Sequence, residues 1–221
     1  MSLADEDAYW NAFYAGQHPD LESPSTFARL VLTRLEPGAL MFELGCGNGR
    51  DALFFADQGV RMIACDRSAV AIQRLSDRAD LGRFVHRPRF LAADFAELHR
   101  VYDRSQPPLD AVYSRFTLHA IPAEIQHAAL AWAVEHLRPD GQLLIEVRSV
   151  KGSLYGQGEQ VERDAFIHDG HYRRFLRFEE LTAELEGLGL EVTEATEAAG
   201  VAVYKDDDPV VIRLTARKPA R

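Results

Sequence analysis

Cysteine is scarce: Cys46 and Cys65 are the only two in 221 residues. One lies inside a glycine-rich turn and the other ends the next apolar run, so neither a disulfide framework nor a zinc-ligand spacing is present. A reducing cytoplasm is the expected location. Positive charge is also short, with 25 Lys plus Arg against 34 Asp plus Glu and a net charge of -9. That balance argues against a sequence-independent grip on nucleic-acid phosphates. No apolar run approaches the roughly 20 residues that cross a bilayer, and Ala4-Asp5-Glu6-Asp7 is the reverse of a signal peptide's basic start. Neither a membrane nor a nucleic acid is expected as a partner. Internal repeats and low-complexity segments are absent as well. Apolar residues are plentiful at 47%, enough for one core in a single domain over residues 1–221.

Apolar runs and amphipathic stretches alternate along the chain, which predicts an α/β protein. Aromatic-rich residues 5–16 read as a short helix, 16–24 as a loop, and 25–35 as a second helix opened by Ser25 and stopped by Pro37-Gly38. Strands are expected at 39–42, 60–65, 87–93, 109–116, 142–147, 189–193 and 209–216. Between them lie helices at 51–58, from Ser68 through Leu75, at 95–99, 123–137 and 178–188. Gly59 suits a left-handed helix cap, Pro139-Asp140-Gly141 a tight turn, and residues 205–208 a solvated acidic turn. The last two strands have no helix between them and should pair antiparallel. Residues 148–177 show little periodicity, and so long a connection points to a use such as an acceptor-binding lid.

The centre of the sequence is Phe42-Glu43-Leu44-Gly45-Cys46-Gly47-Asn48-Gly49-Arg50-Asp51, a buried strand, a glycine turn and a helix start. Glycines let the backbone approach a ligand closely, and the first amides of the helix are open donors. Gly47 to Ala52 also fits the G-x-G-x-x-A form of a dinucleotide fingerprint. Glu43 decides between the readings: a carboxylate two residues before Gly45 repels a pyrophosphate and suits the ammonium of an amino-acid-bearing nucleoside. Asp66, about twenty positions on, is placed to accept from ribose hydroxyls.

The run Glu-Leu-Gly-Cys-Gly-Asn-Gly resembles the first motif of class I S-adenosylmethionine-dependent methyltransferases. Leu-Arg-Pro-Asp-Gly-Gln-Leu-Leu-Ile at 137–145 is similar to a later part of that family. The Gly-Asn-Gly-Arg-Asp form, the chain length and the N-terminal aromatic helix are closest in style to bacterial small-molecule enzymes of the tellurite-resistance and thiopurine type. The resemblance implies a doubly wound, Rossmann-like sheet of seven mostly parallel strands with one antiparallel strand and helices on both faces. It also implies S-adenosylmethionine as cofactor, S-adenosylhomocysteine as product, and a monomer or homodimer. Cofactor-binding residues would be Glu43, Gly45, Cys46, Gly47, Asn48, Gly49, Asp66, Arg67, Asp94, Phe95, Ser114 and Arg115, with Asp94 on the adenine amino group and the Phe95 amide on the ring. Residues 1–36 would lie over the cofactor, bringing Tyr9, Trp10 and Tyr14 to the acceptor.

Transfer from a sulfonium is an in-line displacement, so alignment, which reaches about 7–11 kcal/mol in intramolecular models, outweighs a general base. Arginine's planar fork pairs with oxyanions. Arg115, Arg148, Arg173 and Arg174, with Tyr155, His171 and Tyr172, are therefore the candidates for holding a small anionic acceptor. Their alternative is pairing with Glu146, Asp164, Asp169 and Glu179. His119 and His171, with ordinary pKa near about 6.5, are the candidate catalytic bases beside Arg115. His168, Asp169 and His171 show no known metal-ligand spacing, and no metal is expected. Two other functions compete: a cofactor-binding regulator without turnover, and a nicotinamide-dependent oxidoreductase. The absence of an Asn-Pro-Pro-Tyr type motif after the fourth strand, where Ser114-Arg115-Phe116-Thr117 stands, argues against amino-group chemistry on bases.

Overall fold

A computed structural model of the chain describes residues 3–16, 23–168, 170–204 and 207–220, with side chains from residue 8 onward. Helices α1 (Leu3–Gly16) and α2 (Thr26–Leu32) precede β1 (Leu40–Leu44), α3 (Arg50–Asp57), β2 (Arg61–Asp66) and α4 (Ala69–Ser76). Next come β3 (Arg89–Ala92), α5 (Leu98–Val101), β4 (Leu109–Arg115), α6 (Ala123–His136) and β5 (Leu137–Arg148). The chain closes with β6 (Glu159–Glu162), β7 (Ala165–His168), β8 (His171–Arg174), α7 (Phe178–Gly187), β9 (Glu191–Ala198) and β10 (Val211–Arg217). Seven strands form one sheet in the order β3-β2-β1-β4-β5-β10-β9, and β6-β7-β8 form a second. Strand β1 runs parallel to β2, and β2 to β3. Strand β10 is antiparallel to both β5 and β9, as the missing crossover requires. Among the described residues no helix is long and apolar enough to cross a membrane. The chain groups into two compact units, residues 1–112 and 113–221.

In the first unit, β1 is buried at every position and β2 at all but Arg61, which is why both read as unbroken apolar runs rather than alternations. Ser25 and Ser68 cap their helices as expected, accepting from the Ala28 amide at 2.9 Å and the Ala71 amide at 3.2 Å. Gly59, at φ 82, closes α3. Helix α2 stops at Leu32, three residues before the expected end, where the Thr33 and Arg34 amides switch to i-3 carbonyls. In the expected loop at 16–24, residues 17–22 lie outside the described residues.

The second unit departs from expectation twice. Pro139-Asp140-Gly141 lies inside β5, which starts at Leu137. Asp140 takes φ 62, its amide donates to Lys218 O at 2.8 Å, and the Lys218 amide donates to Gly141 O at 2.9 Å, so the ladder runs on through the predicted turn. Residues 148–177 contain the β6-β7-β8 meander, not an irregular connection. Strand β6 is exposed at all four positions, and β7 and β8 each bury two consecutive residues, so no period-two signal exists. The readable cue is Asp169-Gly170 between two short β-prone runs, a hairpin dipeptide. His168 pairs with His171 across it, and Gly170 has φ 70; Asp169 itself lies outside the described residues, as do Lys205 and Asp206 of the predicted acidic turn.

Candidate functional site

Strand β1 ends where the strand order reverses, the place at which open α/β sheets bind ligands. The chain leaves it through Gly45 at φ 73, whose amide, like that of Cys46, donates to Cys65 O, at 2.8 and 2.9 Å. Asp66 then fixes the turn: Oδ2 accepts the Gly47 amide at 2.8 Å and Oδ1 the Ser68 amide at 2.9 Å. Burial pushes the Asp66 carboxyl up, opposed by those two amides and by Arg67. Gly49, at φ 78, packs so closely on α4 that a Cβ would stand 2.5 Å from a Leu75 methyl. Glu43 is 4% exposed. Burial, followed by the charges of Asp66 and Glu43, drives the Cys46 thiol far up, so this cysteine is a packing residue and not a nucleophile. Asp94 accepts the Ala96 amide at 2.8 Å and lies 3.3 Å from Arg67, serving as a helix cap while keeping a carboxylate beside β3. Asn48 Oδ1 is 3.3 Å from the Arg50 amide.

Helix α1 docks on this turn through polar contacts invisible in its aromatic pattern. Asn11 Oδ1 accepts from Ser68 Oγ at 2.8 Å and from the Val70 amide at 3.3 Å. Arg74 donates to the Tyr14 carbonyl and, at 3.0 Å, to that of Ala15, a cation at a helix C-terminus. Tyr14 thereby reaches the glycine turn, where a Cβ on Gly47 would stand 2.9 Å from its Cζ. Burial, then Asp66, Cys46 and Glu43, raise its phenol, so it stays protonated. Trp10 lies 5.9 Å from Tyr14 and 5.3 Å from Tyr9, centroid to centroid, and Phe13 is exposed. A further brace is Asp51, 4% exposed, which accepts the Ser25 amide at 2.8 Å and the Ser25 hydroxyl at 2.7 Å.

The second unit gathers the other candidates. Phe116, just after β4, is held at φ 54 with its amide donating to Glu146 O at 2.8 Å; a left-handed phenylalanine persists only where its surroundings impose it. The guanidinium carbons of Arg115 and Arg148 lie 4.3 and 5.2 Å from its ring centroid. Glu146, 1% exposed, accepts Arg115 Nε and Arg213 Nε, each at 2.7 Å. Arg115 is thus engaged by Glu146, and Arg148 by Asp207. His119 is 6% exposed, 5.7 Å from the Phe116 ring, and its Nδ1 has no hydrogen-bond partner among the described residues. The same holds for Ser114 Oγ, at 1% exposure. Burial, then Arg148, His171, Arg173 and Arg174, hold the His119 pKa well below the usual imidazole value. Burial, then Arg173 and Arg148, lower that of His171 to about 4.

Arg174 is turned to backbone, donating Nε to Ile121 O and Nη2 to Leu118 O, both at 3.2 Å, and also to Gln126 Oε1. It holds the segment carrying His119. Tyr155 is engaged elsewhere: its hydroxyl donates to Asp164 at 2.6 Å and its ring packs on Phe166 and Phe175. Tyr172 is buried opposite Ile167. Reading the sequence missed Arg213, Asn11, Arg74 and Asp51. Glu146 in the otherwise apolar Leu143-Leu144-Ile145-Glu146-Val147 was the one signal that could have located the buried ion pair.

Comparison with known proteins agrees with this geometry. A family described as methyltransferase domain matches residues 10–195. The thiopurine S-methyltransferase of Gluconobacter oxydans (strain 621H) is 25% identical over 168 residues, 72% of this chain and 76% of the relative. Burkholderia thailandensis 1,6-didemethyltoxoflavin-N1-methyltransferase, solved with bound 1,6-didemethyltoxoflavin and S-adenosylhomocysteine, has a TM-score of 0.70 at 20% identity, over 98% of this chain and 88% of its own. A TehB-like methyltransferase from Corynebacterium glutamicum has a TM-score of 0.62 at 20% identity, over 98% of this chain and all of its own (100%). These two structures share the fold. Because the family match takes in the glycine turn and runs on to β9, the chain belongs to the methyltransferase-domain family and is an S-adenosylmethionine-dependent methyltransferase.

Proposed function

We propose that the acceptor is a small molecule that is already an anion when it is methylated, and that Arg148, Arg173 and the neutral imidazoles of His119 and His171 hold it. The supporting observation is the environment of His119: a buried ring with an unmade hydrogen bond at Nδ1, acted on by Arg148, Arg173 and Arg174. Positive charges that gather around an uncharged imidazole favour an arriving anion. A base with a pKa of about 4 takes few protons near neutral pH. The histidines then position the acceptor as hydrogen-bonding groups, and the guanidiniums stabilise its ionised form. Arg115 serves by supporting Phe116, and Arg174 by supporting the segment of His119.

On the donor side, the buried carboxylate of Glu43, the amides of the glycine turn and Asp66 fit the ammonium and ribose of S-adenosylmethionine, and Asp94 with the Phe95 amide fits its adenine. The bound cofactor supplies an activated methyl group. Tyr14, Trp10 and Tyr9 of α1 exclude water from that turn. The two buried thiols, with pKa pushed up, suit a reducing, cytoplasmic setting.

The relative's name makes an aromatic heterocyclic thiol the first acceptor to try, with tellurite as the compact oxyanion. The measurement is S-adenosylhomocysteine formation with each acceptor and with a neutral analogue of matched shape. Arg148→Ala and Arg173→Ala should each raise the acceptor KM about 10-fold, the value of one charge-assisted hydrogen bond, with donor affinity unchanged. Equal use of the neutral analogue, together with an unchanged KM in both variants, would defeat the reading.

A further inference from the structure

A second cationic site lies at the other ends of the strands. The starts of β1, β2 and β3 and the segment 85–107 enclose a cleft of about 440 Å³, within the size of small-ligand pockets. Its lining contains Arg61, Arg87, Arg89 and His86 and no carboxylate. Register explains the clustering. Ile63 stands opposite Arg89 in the neighbouring parallel strand, and Arg61 precedes Ile63 by two, so Arg61 and Arg89 project from one face. Arg87 lies two residues before Arg89, just ahead of β3, and lines the same cleft. Arg89 and Arg61 both act on the phenol of Tyr102, which forms the buried wall between them and donates to Pro107 O.

The arginines here differ from most of those elsewhere in the chain, although Arg74, Arg138 and Arg174 also meet carbonyl oxygens. Arg50, Arg67, Arg78, Arg83, Arg100, Arg115, Arg148, Arg163, Arg177, Arg213 and Arg217 all have carboxylate partners. Arg87 and Arg89 have none among the described residues, and Arg61 meets only the carbonyl of Gly38, at 2.7 Å. In a chain of net charge -9, three exposed guanidiniums gather in one concave face whose lining holds no acid, a local concentration of positive charge that attracts anions. Val85, 83% exposed, and Pro107 add an apolar border.

We propose that this cleft binds a small oligophosphate-bearing ligand of the nucleoside di- or triphosphate type, its phosphates bridging Arg61, Arg87 and Arg89. Three forked donors in a row match successive phosphate groups better than a single carboxylate. The bland explanation is that β3, an edge strand, carries arginines to prevent edge-to-edge pairing. The experiment separates the two. ATP, tripolyphosphate and inorganic phosphate are titrated calorimetrically into the full chain at low and physiological salt, and into Arg87→Ala/Arg89→Ala. Circular dichroism melting and the S-adenosylhomocysteine titration serve as fold controls. ATP and tripolyphosphate should bind with affinity that falls as salt rises and drops about 100-fold in the double variant, about 10-fold per lost phosphate contact, with melting unchanged. Single-variant Arg61→Ala should weaken the same ligands if the double variant misfolds. No heat with ATP or tripolyphosphate, binding unaltered by either variant, or phosphate binding as tightly as ATP would overturn the proposal, as would a double variant that only self-associates.

Discussion

Residues 1–112 place carboxylates at the inner ends of their strands, and backbone amides hold them. Asp66 receives the Gly47 and Ser68 amides, and Asp94 receives that of Ala96. In residues 113–221 guanidiniums and an uncharged imidazole gather around Phe116 instead, and distant carboxylates hold the guanidiniums. Arg115 depends on Glu146 thirty-one residues away and Arg213 on the same carboxylate from sixty-seven away. A donor site built on backbone amides is short-range and tolerates few residue types. A cluster built on side-chain pairs can be re-formed from many sequences.

The contrast is broken most severely at Glu146. Glu146→Ala leaves two half-buried guanidiniums without their carboxylate and should cost about 3 kcal/mol in urea or thermal unfolding; a loss below about 1 kcal/mol would show the pair to be solvated. Next comes Asp66→Asn, where one of the two amides loses its acceptor and the ribose loses a charged one. S-adenosylhomocysteine affinity should fall about 100-fold, near 2.7 kcal/mol, and the acceptor KM should stay within about 2-fold of wild type.

Acid separates the two regions by sign. His171 is depressed in the folded state to about 4, so the folded form binds fewer protons than the unfolded chain as pH drops below about 6.5, and stability is lost: about 2 kcal/mol between pH 6.5 and 5. His119 acts in the same direction. Asp66 is raised, so above its unfolded pKa, about 3.9, it acts oppositely and contributes more as pH falls. Unfolding curves of His171→Asn should show a shallower acid decline, and a parallel decline would assign it elsewhere. The smallest effect belongs to Asn11→Ala, which removes the two bonds docking α1 on α4. It should cost about 0.5–1.5 kcal/mol and be visible as altered Trp10 fluorescence without loss of the sheet.

The glycine turn was legible because its physics is local: glycines where the turn needs positive φ, Glu43 two before them, and Asp66 at the next strand end all stand close in sequence. The α/β class followed from the alternation of strands and helices, and the antiparallel closing strand from the missing crossover helix. What stayed hidden depended on contacts distant along the chain. The β6-β7-β8 meander lacks alternation because β6 is exposed on both faces, and Pro139-Asp140-Gly141 reads as a turn although Lys218 pairs across it. Phe116 carries no sequence mark of its left-handed backbone, since the constraint comes from the Glu146 carbonyl and two flanking guanidiniums.

The central claim is that a carboxylate-lined glycine turn recognises the aminoacyl nucleoside. Calorimetric titration of S-adenosylhomocysteine into the wild-type chain and Glu43→Gln tests it most directly. Saturable heat with one site for the wild type, and affinity about 10- to 100-fold weaker in a variant of equal thermal stability, is the predicted result. A folded wild-type chain that gives no heat, or a variant that binds as tightly as wild type, would contradict it.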